Sequence, residues 1–270
     1  MFVLPQPTKK EILDYYSYDY VGFNSGIDEE ANSLIRYARL QKMVKKCKLI
    51  IKFTKKKTGD ILDVGCGMGH FLYVMNKFGW NGYGIEPSID ASNYARDHYH
   101  IHVENGTSQD INFNSQMFDV VTYWDVLEHT YSPSKEISLV HQLIKPGGFL
   151  FINIPNWDSF DRHLFNNFWI GFNPPEHLYI FMKNNISQLL KNTGFRLIDW
   201  VCVTTSYFAF AIEINRWLST INTNLANKVK SILEIPGMRY LFEPILTPIN
   251  WLGLGSTITI IAQKTNTYEK

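Results

Sequence analysis

Hydrophobic residues along the chain recur with two different periods. Short apolar runs are typical of buried strands, and apolar positions three or four residues apart are typical of helices. The pattern predicts strands at 60–64, 82–86, 101–104, 117–124, 149–154, 195–203 and 256–262. It predicts helices at 28–53, 69–78, 89–99, 134–143 and 184–193. Strands that alternate with helices in this way indicate a doubly wound α/β fold.

Glycines at alternate positions mark the junction between the first strand and the next helix, with the sequence DVGCGMGH at 63–70. Because glycine has no side chain, the turn can be tight and a ligand can lie directly against the backbone. A dinucleotide fold uses G-x-G-x-x-G to seat a pyrophosphate on the helix N-terminus. This chain has G-x-G-x-G instead, which favours a different nucleotide ligand.

Two acidic residues flank this turn. Asp63 stands two residues before the first glycine, and Glu86 ends the second predicted strand. An acid before the turn suits a ligand with a positive group better than one with phosphates. The position of Glu86 is where such folds hold a ribose diol. A nucleoside with a cationic tail and no phosphate is S-adenosylmethionine.

These motifs resemble those of the class I S-adenosylmethionine-dependent methyltransferases. The resemblance covers roughly residues 30–203 and is carried by DVGCGMG at 63–69, GIEPS at 84–88, FDVV at 118–121, DVLEH at 125–129 and LIKPGG at 143–148. It implies a Rossmann-like, doubly wound sheet of seven strands, mostly parallel with an antiparallel last strand. It also implies S-adenosylmethionine as the cofactor.

One set of residues is expected to bind this cofactor. The set is Asp63, Gly65, Cys66, Gly67, Gly69, His70, Glu86, Pro87, Thr107, Ser108 and Asp125. In the resembling family an acid often follows the glycine after the third strand and contacts the adenine amine. Here Thr107 occupies that position, and we expect a hydroxyl or a backbone group to substitute. We expect His70 to contact the cofactor carboxylate, and Asp125 to contact the cofactor amine or an acceptor hydroxyl.

The chemistry then needs a proton acceptor. The methyl group is already electrophilic on its positive sulfur, so the protein must mainly align donor and acceptor. A hydroxyl acceptor must also lose a proton, which suits a histidine with its reference pKa of about 6.5. The candidates are His177, in an aromatic loop after the fifth strand, and His129, just past the fourth strand, with Asp125 as a third catalytic residue. A structural histidine bonded to backbone is the alternative for each.

A metal is not expected, because the sequence shows no persuasive cluster of ligands. Asp125 and Glu128 nevertheless keep metal-dependent catechol methylation open. The Asn/Asp-Pro-Pro-aromatic motif typical of DNA and RNA amine methyltransferases is missing after the fourth strand. The related run NPPE at 173–176 lies beyond the fifth strand and lacks the aromatic residue.

The predicted elements divide the chain into four parts. They are an N-terminal arm and helix (1–58), an S-adenosylmethionine-binding methyltransferase core (59–204), a helical insertion between the last two strands (205–254) and a last strand with a C-terminal tail (255–270). In the insertion, apolar spacing from 214 to 232 predicts one amphipathic helix, and Pro236, Pro244 and Pro248 are expected to break the remainder into short pieces. The insertion either packs on the core or on a second copy in a homodimer, or forms a peripheral membrane or lipid-linked substrate surface.

Two segments of the first part have two interpretations each. A tyrosine cluster at 15–20 belongs either to an arm packed on the body or to a lid over the ligand. Lysines recur from 45 to 57, and they form either a solvated helix end or a patch for nucleic acid or an acidic headgroup. The absence of arginine from the lysine run favours the solvated end.

Composition narrows these interpretations only slightly. A formal net charge of +1 indicates no strongly charged partner, and DNA is not expected. Three unclustered cysteines indicate neither a disulfide framework nor a zinc site, and they favour a reducing compartment. No apolar run reaches the roughly 18 residues of a membrane span, and residues 1–10 lack the apolar core of a signal peptide. We therefore expect a cytoplasmic protein.

The sequence thus predicts a methyltransferase that acts on a small molecule or a glycan, at an oxygen atom. A protein or RNA methyltransferase is the first alternative, and it would be favoured if the lysine-rich helix end lined the cleft. A non-catalytic S-adenosylmethionine-binding protein is the second alternative. The intact glycine turn with Asp63 and Glu86 argues against the second.

Overall fold

A single seven-stranded sheet organises the computed structural model, which describes residues 6–8, 30, 32–110, 113–203, 207–235 and 237–265. The strands are β1 (Asp60–Val64), β2 (Asn81–Glu86), β3 (His102–Asn105), β4 (Phe118–Trp124), β5 (Ile144–Pro155), β6 (Phe195–Val201) and β7 (Thr257–Lys264). Their order is β3-β2-β1-β4-β5-β7-β6. The first five strands pair in parallel, and β7 runs antiparallel to both β5 and β6. The predicted Rossmann-like fold with an antiparallel last strand is confirmed.

Helices cover the sheet and extend beyond its edge. They are α1 (Ser33–Thr54), α2 (His70–Lys77), α3 (Ile89–Tyr99), α4 (Pro133–Leu143), α5 (Phe160–Phe165), α6 (Lys183–Asn192), α7 (Tyr207–Ser219), α8 (Thr223–Leu233) and α9 (Met238–Trp251). The element order β1-α2-β2-α3-β3 is the doubly wound arrangement that the apolar periods predict.

Two hydrophobic cores lie on opposite faces of the sheet. Neighbouring strand residues point to opposite faces, so Leu62 and Val121 join one core while Ile61 and Val120 join the other. The second core also contains Cys47 of α1, which fixes this helix against the sheet. The central strands are apolar on both faces because both faces are covered.

Two element boundaries differ from the prediction. The predicted turn at 145–148 lies inside β5, which begins at Ile144 rather than at 149. The pairing of β4 with β5 shifts register between Phe118 and Val120, so the strand absorbs the glycines as an irregularity instead of ending there.

The first helix also begins later than the apolar spacing predicts. Asn32 caps it by accepting hydrogen bonds from the N–H groups of Leu34 and Ile35. Leu34 and Ile35 are themselves exposed, so the first turn does not share the buried face of the remainder.

The segment between β6 and β7 departs furthest from the prediction. Two helices, α7 and α8, replace the single helix expected over 214–232, and Asn222 caps the second of them. The expected break at Pro244 and Pro248 is wrong, because α9 runs continuously through both. These prolines lie on its exposed side, where water can satisfy the freed carbonyls, while Leu246 is buried on the other side.

The described residues 6–8 of the N-terminal arm contact the body of the protein at Tyr131. The hydroxyl of Tyr131 donates a hydrogen bond to the carbonyl of Pro7 at 2.8 Å. The tyrosine cluster at 15–20 lies outside the described residues, so its two interpretations stay predictions. Within the part of the chain that the structure covers, every helix is too short or too polar to cross a bilayer.

Candidate functional site

The glycine turn lies at the carboxyl end of β1 and is tied to β2. Gly65 has a φ of 72°, and a Cβ there would lie 2.6 Å from Cγ2 of Val126, so no other residue fits. The Gly65 N–H donates to the Ile85 carbonyl at 2.8 Å, and the Gly67 N–H donates to Oε2 of Glu86 at 2.8 Å. The turn therefore holds its shape through backbone groups.

Glu86 is held by both of its carboxylate oxygens. Gly67 N–H binds Oε2, and Ser88 N–H binds Oε1 at 2.8 Å. Burial raises the pKa of Glu86, and these two N–H groups oppose that shift. Pro87 is exposed, and its carbonyl accepts a hydrogen bond from Nδ2 of Asn105 at 3.2 Å. A carboxylate fixed in this way is oriented before any ligand arrives.

Asp63 and a lysine are buried together beneath the turn. The Asp63 carboxylate accepts a hydrogen bond from Thr122 Oγ1 at 2.6 Å, and burial raises the pKa of Asp63. The Lys46 ammonium lies 4.2 Å from the centre of the Trp124 ring. Burial lowers the pKa of Lys46, whereas the charges of Asp125 and Asp63 oppose that shift.

Sequence reasoning missed Lys46. We assigned the lysine run to a solvated helix end, but the Lys46 residue is only 5% exposed, while Lys45 and Lys48 are exposed. The reason is helical geometry, because Lys46 shares the inward face with Cys47 and Ile50. A lysine at the apolar positions of an amphipathic helix was the signal that could have found it.

The predicted adenine residues have partners of their own. The N–H and the hydroxyl of Thr107 both donate to Oδ2 of Asp110, at 3.0 and 2.6 Å. The Ser108 hydroxyl donates to Glu136 inside the protein. An acid does stand three residues after Thr107, as Asp110, and it is a candidate for the role that the resembling family gives to the acid directly after the glycine. Sequence reasoning missed it because it considered only the next position.

The remaining turn residues contribute backbone or packing. Gly69 begins α2, and a Cβ there would lie 2.9 Å from Cβ of Ala95 on α3. The Cys66 side chain is buried against β2. The His70 ring packs edge-on against Tyr99, with ring centres 5.8 Å apart, and so lies between α2 and α3. The predicted contact of His70 with a carboxylate stays a prediction.

Asp125 is held in a strained conformation where β4 ends. Its φ is 61°, which residues with a side chain rarely adopt. Its N–H donates to the Asn153 carbonyl at 3.1 Å, and Nδ2 of Asn153 donates to its carboxylate. Thr259 of β7 in turn donates to Oδ1 of Asn153 at 2.8 Å. Three strands therefore fix one exposed carboxylate.

The two candidate histidines lie together. Their ring centres are 4.8 Å apart. Nδ1 of His129 is 2.9 Å from the Glu176 carbonyl, and Nδ1 of His177 is 2.8 Å from the Gly171 carbonyl. Since a carbonyl only accepts, each Nδ1 carries the proton and each Nε2 carries the lone pair. Burial lowers the pKa of His129 to about 4 and also lowers that of His177, so both rings are neutral at pH 7.

Glu128 completes a cluster that sequence reasoning did not expect. Ligand atoms of Glu128, His129 and His177 all lie within 4.8 Å of one another. Glu128 is 1% exposed, and its Oε2 lacks a hydrogen-bond partner among the residues that the structure describes. The loop after β5 brings His177 back to the end of β4, so the structure groups three side chains that the sequence did not, and the expectation of no metal stays a prediction. Two imidazoles and a carboxylate are ligands that suit a divalent metal.

Comparison with known proteins assigns the chain to a family. A family model described as a methyltransferase domain matches residues 36–199. A ubiquinone biosynthesis O-methyltransferase from Colwellia psychrerythraea is 35% identical over 108 residues, covering 36% of this chain and 42% of that protein. One from Coxiella burnetii is 28% identical over 156 residues, covering 53% of this chain and 66% of that protein. The chain thus spans less than two thirds of the length of these relatives.

Solved structures share the architecture. A SAM-dependent methyltransferase from Archaeoglobus fulgidus superposes with a TM-score of 0.54 at 19% identity, covering 83% of this chain and 94% of that one. A 1,6-didemethyltoxoflavin-N1-methyltransferase from Burkholderia thailandensis, solved with S-adenosylhomocysteine, has a TM-score of 0.52 at 13% identity, covering 85% and 81%. At these identities the likeness concerns the fold alone.

Proposed function

The chain belongs to the class I S-adenosylmethionine-dependent methyltransferase family, and from this premise we propose that it transfers a methyl group to a hydroxyl oxygen of a small organic acceptor. The observation that carries the proposal is the pair of neutral histidines beside Asp125. They lie at the carboxyl ends of the strands, where the glycine turn also lies. A neutral imidazole can accept the proton that a hydroxyl must lose. The relatives named as O-methyltransferases support the same chemistry.

The cofactor half of this site has a partner for each part of S-adenosylmethionine. Glu86 would accept hydrogen bonds from the ribose hydroxyls, and Asp110 would accept one from the adenine amine. Asp63 and Asp125 lie on the side of the ammonium group, and Lys46 supplies a cation for the carboxylate. This distribution would place opposite charges beside the ammonium and the carboxylate of the ligand.

The acceptor half works through position and proton transfer. The cofactor supplies an electrophilic methyl group when it is bound. Nε2 of His177 takes the proton of the acceptor hydroxyl, while the Gly171 carbonyl keeps the ring in the required tautomer. Asp125, fixed by Asn153, orients the acceptor by hydrogen bonding. The buried surroundings keep His177 uncharged and therefore ready to accept a proton.

The lysine-rich helix end supports a small acceptor over RNA or protein. Lys56 pairs with Asp119 at the start of β4. It therefore lies at the amino ends of the strands, whereas the site lies at their carboxyl ends. Lys145 joins the same ion cluster at 2.8 Å from Asp119. The charges of this cluster are therefore neutralised away from the cleft.

A metal-assisted reaction is a second candidate, favoured by the cluster of Glu128, His129 and His177. Nε2 of His129 and Nε2 of His177 would bind a divalent metal there, and the metal would lower the pKa of the acceptor hydroxyl directly. The test is to chelate the purified protein, dialyse away the chelator and assay with and without Mg²⁺, Mn²⁺ or Zn²⁺. Activity that returns only with metal favours this candidate. Full activity without metal favours histidine as the base.

The insertion supports an acceptor that resides in or on a membrane. The exposed side of α9 carries only apolar residues and prolines, and Trp251 is 82% exposed. The residues of this α9 stripe are Tyr240, Leu241, Pro244, Ile245, Pro248, Trp251 and Leu252. Aromatic residues stand at both ends, as in helices that lie in a membrane surface. A glycan acceptor and a homodimer remain the alternatives for this surface.

One screen tests the main proposal. Purified protein is incubated with radiolabelled S-adenosylmethionine and separate panels of phenols, catechols, quinols, sugars, RNA and protein, and the labelled product is identified by mass spectrometry. The expected product is an O-methylated small molecule. Label found only on RNA or protein would contradict the proposal. Cofactor binding with no transfer to any panel would instead favour the non-catalytic alternative.

A further inference from the structure

A buried glutamate of the insertion reaches the loop that carries His177. Glu213 of α7 is 0% exposed, and its Oε1 accepts a hydrogen bond from the Ile170 N–H at 3.0 Å. The carbonyl of the next residue, Gly171, is the acceptor for Nδ1 of His177. Only one peptide unit therefore separates the contact made by the insertion from the contact that orients the imidazole.

A second residue of α7 holds the other side of the same loop. Arg216 lies one turn beyond Glu213, and its Nη2 donates to Oδ1 of Asn173 at 3.3 Å. The Asn173 carbonyl accepts the backbone N–H of His177 at 3.2 Å. The insertion thus contacts the loop at two residues. One is Ile170, which precedes the acceptor of the His177 ring, and the other is Asn173, whose carbonyl accepts the His177 N–H.

The loop has no room to adjust by itself. A Cβ at Gly171 would lie 2.2 Å from Cζ2 of Trp169, whose ring is buried. Trp169 also packs edge-on against Phe172, with ring centres 5.2 Å apart. The Gly171 carbonyl is therefore confined between one indole and the polar contact at Ile170, so a change at Ile170 reaches His177.

Glu213 faces a second buried carboxyl. Asp161 of α5 is 2% exposed, and one oxygen of each carboxyl lacks a hydrogen-bond partner within the described ranges. Burial and then the charge of Asp161 raise the pKa of Glu213 to about 8, whereas the Ile170 N–H and the Arg216 charge oppose the shift. At neutral pH Glu213 therefore keeps its proton, which supplies the missing hydrogen-bond donor toward Asp161.

Other charged groups of the neighbouring elements are engaged elsewhere. On α5, Arg162 stacks on Trp157 with its guanidinium carbon 4.1 Å from the ring centre, and Nδ1 of His163 is 2.8 Å from the Ser159 carbonyl. On α9, Arg239 pairs with Glu243 at 2.9 Å. The exposed Lys228 and Lys230 of α8 complete the set, and Lys230 pairs with Glu234.

We propose that Glu213 is a positioning residue for His177, through which the insertion fixes the orientation of the imidazole on the acceptor side of the site. The proposal rests on the proposed function only in taking His177 as the base. It has a second consequence for pH. Loss of the proton leaves two buried negative charges side by side, and their repulsion displaces the Glu213 carboxylate that holds the loop.

The sign of the pH effect follows from the raised pKa of Glu213. The folded chain keeps a proton that the unfolded chain releases at an ordinary glutamate pKa. This proton contributes its full share of the folding free energy below the ordinary pKa of a glutamate. That contribution is lost as the pH rises from there to about 8. The orientation of His177 is expected to loosen over the upper end of this range.

The test compares Glu213→Ala and Glu213→Gln with the wild type, and uses Glu234→Ala, at the exposed residue that follows α8, as the control. The ring of His177 is followed by proton–nitrogen NMR, with its signals assigned by their loss in His177→Gln. Glu213→Ala should remove the single Nδ1–H tautomer and lower kcat on the order of 10- to 100-fold, with KM and cofactor affinity within about twofold. Glu213→Gln should rescue both, because its amide oxygen still accepts from Ile170.

The pH series provides a second readout if Glu213→Ala does not fold. Wild-type His177 signals should change as pH rises through about 8, whereas those of Glu213→Gln should not, since the amide cannot ionise. Unchanged His177 signals in folded Glu213→Ala, or the same alkaline change in Glu213→Gln, would overturn the proposal. The NMR result does not need turnover, so a failure of the proposed reaction is distinguishable from a failure of this inference.

Discussion

The cofactor half and the acceptor half of the site are built in different ways. The proposed cofactor half draws Asp63, Glu86 and Asp110 from one continuous stretch of chain, from β1 to the turn after β3, and backbone N–H groups hold Glu86 and Asp110. The acceptor half brings His129 and His177 together from segments that are far apart in the chain. The first half is fixed by local structure, whereas the second exists only when the loop after β5 and the insertion are in place.

The two halves also differ in charge. The cofactor half keeps several carboxylates and one buried lysine, which suits a ligand with an ammonium, a carboxylate and a positive sulfur. The acceptor half holds neutral imidazoles, because burial lowers the pKa of His129 and of His177. Charge therefore serves binding on one side, and its absence serves proton transfer on the other. Variants can test this division.

The largest effect is expected from His177→Gln. Loss of a general base should lower kcat on the order of 100- to 10,000-fold, while cofactor affinity stays within about twofold. Turnover assays and calorimetry measure the two quantities separately. His163→Gln, at an exposed position of α5, is the matched control. If turnover persists in His177→Gln and falls in His129→Gln, the base is His129 instead.

The next effect tests the cofactor half through Glu86→Gln. Replacing the carboxylate weakens its hydrogen bonds to the ribose, and we expect cofactor affinity to fall on the order of 100-fold. Calorimetry with S-adenosylhomocysteine measures the change, and kcat at saturating cofactor should fall far less. Glu104→Gln, at the end of β3 and exposed, is the control. Equal affinity in Glu86→Gln and the wild type would remove the ribose assignment.

A smaller effect is expected from Asp110→Asn. The variant loses one acceptor for the adenine amine, so cofactor affinity should fall roughly tenfold, with no change in the acceptor KM. The same calorimetric titration measures it, beside Asp97→Asn on the exposed face of α3. A larger change in acceptor KM than in cofactor affinity would show that Asp110 belongs to the acceptor half and not to the cofactor half.

The smallest effect on the reaction itself is expected from the α9 stripe. The double variant Leu241→Ser and Ile245→Ser should bind phospholipid vesicles several-fold less in sedimentation, while kcat with a water-soluble acceptor is unchanged. Leu34→Ser with Ile35→Ser, two exposed apolar residues of α1, is the control. A change in oligomeric state with unchanged vesicle binding would assign the stripe to a second copy of the chain.

The same division explains what could be predicted. The glycine turn and Glu86 were identified because their geometry depends on neighbours along the chain and on one adjacent strand. Lys46 was misplaced because one position in a helix decides between solvent and core. Asp110 was not considered, because it stands three residues after the position at which the resembling family has its acid. No pattern in the sequence indicated that Glu213 contacts the loop whose Gly171 carbonyl binds His177.

The sequence by itself determined the alternation of strands and helices from β1 to β5, the glycine turn and the family. These follow from apolar periodicity and from local backbone constraints, which act over a few residues. Only the tertiary structure decided that His129, His177 and Glu128 meet, and that Glu213 holds the loop. The physical reason is that burial and long-range packing set which polar groups are desolvated together, and neither is encoded in spacing along the chain.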